Sequence, residues 1–151
     1  MHHLYTFLVA IHIFAAIIGV GPAVAFNRIL KTAGNMHELK SAHRIIEKLN
    51  PLSSIGFGLL VITGLLMGLM NPSLFKTGWY ILALCLFIIL GVYSAFTTEA
   101  KMKSMLNISK THAGESIPRE YKELLNKKAK HDWVENTLII SIFILMVFKP
   151  W

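Results

Sequence analysis

Residues 4–26 read LYTFLVAIHIFAAIIGVGPAVAF, with no Asp, Glu, Lys or Arg and a single imidazole, His12. As a helix rising ~1.5 Å per residue, this run is long enough to cross a hydrocarbon core of ~30 Å. His12 then shares a face with Tyr5, Leu8, Ala16, Gly19 and Ala23, so the one polar group lies on a stripe of small side chains. In a membrane helix that stripe is the one pressed against neighbours, because close backbone approach replaces the missing hydrophobic drive. His12 is therefore expected to point into the protein.

Further apolar runs give spans at about 4–26, 52–70, 78–98 and 132–149, joined by basic loops at 27–51 and 99–131. The composition agrees: 54% hydrophobic, 15% charged and a mean hydropathy of +0.56 in 151 residues, which suits one membrane domain. The expected fold is an all-α integral membrane four-helix bundle with two cytoplasmic amphipathic helices. The first occupies residues 35–50, with Asn35 as N-cap and Glu38 at capping-box spacing. The second starts near Ser116-Ile117-Pro118, after a flexible stretch at 107–114. The first run is too long, and lacks the basic leader, for a cleavable signal peptide.

Of the 15 Lys and Arg, five fall in the first basic loop and eight in the second. The positive-inside rule then predicts both loops in the cytoplasm and both termini outside. The net charge of +7 is accounted for without nucleic acid, and the loops suit anionic lipid head groups. Gly64 and Gly68 have the GxxxG spacing of a tight helix contact, which serves either a homodimer or the inside of one bundle. Only residues 136–148 separate Glu135 from Lys149, about 20 Å of helix, so Glu135 is expected below the membrane surface.

The lone cysteine, Cys85, excludes an internal disulfide and any CxxC motif. There is no Gly-rich phosphate loop, nucleophile elbow or HExxH, hence no support for nucleotide or hydrolase chemistry. His12 lies near mid-membrane, where ionisable groups are rare and usually functional. Met67, Cys85 and Met146 fall in the same outer half. Imidazole, thioether and thiolate suit haem iron or Cu(I), although Met and Cys are also ordinary apolar filler. His43 with Glu47, and His131 with Glu135, each stand at i to i+4 on one helix face. Two such pairs suit a divalent ion if they face each other, and salt-bridge or interface chemistry if they do not. The HRIIE of residues 43–47 and HDWVE of 131–135, with the similar runs 8–14 and 81–87, suggest two related halves.

Tyr5, His12-Ile13, Gly19 and Arg28, with Gly78-Trp79 at the mouth of the third span, resemble the first and third helices of the CopD/HemJ-like membrane proteins. Those include copper-resistance permeases and a haem-binding protoporphyrinogen oxidase of bacteria. The Lys149-Pro150-Trp151 ending, with four spans in about 150 residues, is also similar to an uncharacterised family of small predicted integral membrane proteins. The resemblance implies a bacterial inner-membrane protein in which His12 corresponds to the first-helix axial ligand of haem b. The oxidase also uses a lysine and a later histidine in its third helix. Here that span has neither, with Ser94 near the histidine position, a departure that argues against that oxidation and leaves cofactor binding open. Three functions follow as expectations: haem binding with a redox or sensing role, a copper or other metal-ion permease, and a structural or partner-binding membrane protein.

Overall fold

The computed structural model describes residues 2–150; Trp151 of the C-terminal ending lies outside the described residues. Helix α1 is His2–Lys31, α2 Met36–Met70, α3 Gly78–Ser94, α4 Ala100–Thr111 and α5 Arg119–Phe148. A 3-10 turn, Pro72–Lys76, links α2 to α3, and a π-helical segment, Ala95–Glu99, joins α3 to α4 without a break. There is no strand among the described residues. Four helical stretches are long and apolar enough to span a membrane. Their lipid-facing surface is a continuous display of exposed Leu, Ile, Val and Phe.

Two expected boundaries move. The stretch 35–50 and the second span form one 35-residue helix through Pro51, ~52 Å long. Pro51 is exposed, so water near the interface can satisfy the carbonyl that lacks its amide partner. Likewise the stretch 99–111 is helix rather than loop, and only residues 112–118 interrupt the path to α5. The Asn35 cap is as expected: its side chain accepts from Glu38 N–H at 2.9 Å, while Glu38 accepts from Gly34 N–H at 2.7 Å.

The helices pack as two antiparallel pairs. In the α1/α2 pair the backbones touch at Gly19 and Gly56, and the Ser53 hydroxyl donates to Gly19 C=O at 2.6 Å. In the α3/α5 pair Ala83 and Leu90 pack against Ile142, flanked by Leu138 and Met146. The densest core lies at the basic end, beyond the expected spans. There Leu30 of α1, Leu39 of α2, Met105 of α4 and Tyr121 of α5 are fully buried together. That distribution is physically sensible: apolar burial drives collapse where helices project into water, whereas within lipid only close packing and hydrogen bonds hold them.

Gly64 and Gly68 are used inside the chain. The His12 ring lies beside Gly64, and Tyr80 and Phe75 occupy the notch at Gly68. The Tyr80 hydroxyl donates to Gly64 C=O at 2.9 Å, tying α3 to α2.

Candidate functional site

The two pairs touch at the basic end and again at Phe57–Phe87 and Gly64–Tyr80, and a cavity of about 950 Å³ remains between them. Phe57, Val61, Phe87, Leu90 and Ile139 line its apolar part. Phe57 and Phe87, ring centroids 6.2 Å apart, also pack against Ala15, Ala16 and Leu60 and close the cavity toward mid-membrane. The opposite part is polar and carries Arg28, Glu99, Lys103, Lys128, Asp132 and Glu135.

These charges are not equally free. Lys128 is buried and donates to both carboxylate oxygens of Asp132, at 2.7 and 2.8 Å. Glu135 accepts from the Thr98 hydroxyl at 2.6 Å. Arg28, Lys103 and Glu99 carry no ion pair among the described residues. Asn27 also lines the cavity, and its buried Oδ1 has no hydrogen-bond partner. The π-helical segment helps build this wall, since a widened turn re-aims the side chains that follow it. Side chains add bonds to its carbonyls: Thr97 donates to Tyr93 C=O at 2.6 Å and Lys101 to Thr97 C=O at 3.3 Å.

The two HxxxE pairs do not converge. His43 Nε2 meets the Tyr121 hydroxyl at 2.8 Å, and Glu47 pairs with Lys110 at 2.9 Å. His131 Nδ1 meets the Tyr93 hydroxyl at 2.6 Å, and Glu135 is held by Thr98. Burial pushes the Tyr121 hydroxyl well above its ordinary value, so it stays protonated and donates. Burial likewise lowers His43, opposed by Glu47 and reinforced by Lys110, so its neutral ring accepts. No group of three or more His, Cys, Asp or Glu is placed to hold a metal ion among the described residues. Sequence reasoning missed Tyr93, Thr98 and Tyr121; the only available signal was two tyrosines and a threonine near the charged helix ends.

His12 lies in the α1/α2 seam, as its stripe predicts. Its Nδ1 is 2.7 Å from Thr63 Oγ1, whose own proton goes to Leu59 C=O at 2.6 Å. The hydroxyl has one proton and has spent it, so Nδ1–H must be the donor. Nε2 then carries a bare lone pair, and it is buried with no partner. A histidine oriented through Nδ1–H is arranged as metal-binding histidines usually are. Of the other expected donors, Cys85 and Met146 lie elsewhere, and Met67 follows Thr63 on the same α2 face. Met67 is a helical turn farther along α2 than Thr63, Cys85 is exposed on α3, and Met146 packs in the α3/α5 core. The cavity lining on α2 ends at Val61, behind the Phe57–Phe87 pair. Donor chemistry at His12 is that of an imidazole with one bare nitrogen, and His12, Thr63 and Gly64 are not among the residues that line the cavity.

A family model described as a predicted integral membrane protein, DUF2269, matches residues 6–150. No curated protein and no solved structure matches the chain. The family match supports the membrane reading; the likeness to the CopD/HemJ proteins stays a likeness.

Proposed function

The chain belongs to the DUF2269 family of predicted integral membrane proteins, and from that premise we propose that it binds an amphiphilic molecule between its helix pairs. The tail lies along Phe57, Val61 and Phe87, and the head group rests among the charges at the basic end. One observation carries this reading: a single cavity changes from apolar to charged along the direction in which the helices run. Its volume, about 950 Å³, is near the upper end of the usual small-molecule range, ~300–1,000 Å³. A ligand of the same polarity gradient gains burial for its tail and keeps its head near water.

The test uses a fluorescent reporter inside the cavity. Phe57→Trp is placed in a chain whose Trp79, Trp133 and Trp151 are Phe, and the protein is reconstituted in vesicles containing phospholipid with brominated acyl chains. Saturable quenching beyond that of a tryptophan placed at lipid-facing Phe14 is expected. Quenching equal to that control would overturn the reading.

A second reading is favoured by the bare Nε2 of His12: ligation of haem b, with a redox or sensing role, or of copper in a permease. It requires α1 and α3 to part at Phe87. Purified protein with a Soret band that disappears in His12→Ala supports haem. Stoichiometric copper weakened by His12→Ala and Met67→Leu supports the permease, and neither signal removes this second reading. In both readings the cation-rich end is taken to face the cytoplasm of a bacterial inner membrane.

A further inference from the structure

Resting on the amphiphile reading, we propose that the head group bound in the cavity is zwitterionic, a phosphate joined to an ammonium that still carries N–H donors. With Lys128 neutralising Asp132, and Lys110 neutralising the Glu47 carboxylate that also lines the cavity, the remaining charges on its wall are Arg28 and Lys103 against Glu99 and Glu135. Two cations and two carboxylates thus face one space without ion-paired partners. A purely anionic head satisfies the cations and forces itself beside both carboxylates, and a purely cationic head does the reverse. Arg28, Lys103 and Glu99 are exposed at the cavity mouth and Glu135 is half-buried, so a head group lying there meets both signs at once and a head of both signs is the complementary one.

The chemistry of each side narrows it further. Arg28 presents a planar fork of N–H donors that suits phosphate oxygens, with Lys103 adding a point charge. Beside these cations stand three oxygen acceptors. The Glu99 and Glu135 carboxylates are joined by Asn27 Oδ1, a buried oxygen that lacks a donor. Acceptors of this kind need N–H groups, which a primary ammonium supplies and a quaternary one does not. Asn27 and Arg28 are consecutive on α1, so one helix contributes to both halves of the head-group site.

The same Phe57→Trp reporter reads head-group preference when the brominated chains are carried on phosphatidylethanolamine, phosphatidylcholine, phosphatidylglycerol or diacylglycerol. Phosphatidylethanolamine is expected to reach half-maximal quenching at a concentration at least ~5-fold lower than any of the others. In the Glu99→Gln, Glu135→Gln double variant that advantage disappears and phosphatidylglycerol binds more tightly than in the parent. In Arg28→Gln, Lys103→Gln both phospholipids weaken while diacylglycerol does not change. Equal quenching by all four lipids in the parent protein overturns the head-group assignment while leaving the cavity as a tail site. Tighter binding of phosphatidylglycerol or phosphatidylcholine in the parent overturns it in the same way. Absence of saturable quenching by every lipid overturns the amphiphile reading itself.

Discussion

At the scale of single residues, the decisive contacts are those in which one atom has no freedom to move. A Cβ on Gly56 would run into the backbone N and Cα of Gly19, and backbone cannot swing aside as a side chain can. Gly56→Ala is therefore expected to push α1 from α2 and lower stability by ~1–3 kcal/mol in thermal unfolding. Gly58 faces open space, so Gly58→Ala should be neutral or should stabilise by up to ~1 kcal/mol through helix propensity. His43 gives a pH prediction. The facing groups are Tyr121, Glu47 and Lys110, and burial outweighs Glu47 to set the imidazole below its ordinary 6.5. Protons then favour the unfolded chain: this contribution is whole above ~6.5 and is lost as pH falls through the folded-state value. Thermal unfolding between pH 7.5 and 5 is expected to show the decline, and His43→Gln to flatten it. Tyr121→Phe removes the donor to a buried ring nitrogen and should cost ~1–3 kcal/mol at neutral pH.

At the scale of helices, the spans were legible in the sequence because a charge-free run of some twenty residues has few other stable fates. Their extent was not. The stretch 35–50 and the span 52–70 read as two helices and 99–131 as a loop, yet α2 continues through Pro51 and α3 passes through the π-helical segment into α4. Tertiary burial of Leu39, Ala42 and Met105 outweighs both local signals, and burial is not visible in a one-dimensional pattern. The candidate site divides in the same way. The small-residue stripe put His12 in a helix seam, where it lies. Its bond to Thr63, and those of His43 and His131 to tyrosines, depend on register between helices distant in sequence. The cavity was illegible for a further reason: it is the space left where two helix pairs do not meet. Pro51 lines it, and the proline deprives the Glu47 carbonyl of its helical partner. Pro51→Ala is expected to restore that bond and raise stability by about 1–3 kcal/mol, measured by thermal unfolding in detergent.

At the scale of the molecule, the asymmetry of charge and the asymmetry of packing coincide. The compact core of Leu30, Leu39, Met105 and Tyr121 lies at the end that carries thirteen of the fifteen Lys and Arg, split between residues 27–51 and 99–131. The opposite end has Lys76 and Lys149, the latter 5.6 Å from the centroid of the Trp79 ring. A folded cationic end of that kind resists transfer across a membrane, because each charge must leave water and, in a bacterium, move against the potential. The apolar spans have no such barrier, so insertion should leave the basic end on the side of synthesis. Cysteine labelling tests this directly. With Cys85 replaced by Ser, Ser73→Cys reports on the turn between α2 and α3, and Ser104→Cys reports on exposed α4. A membrane-impermeant thiol reagent should modify the first in intact cells and the second only after permeabilisation. The reverse pattern would place the head-group end of the cavity toward the outside, and any amphiphile bound there would come from the outer leaflet.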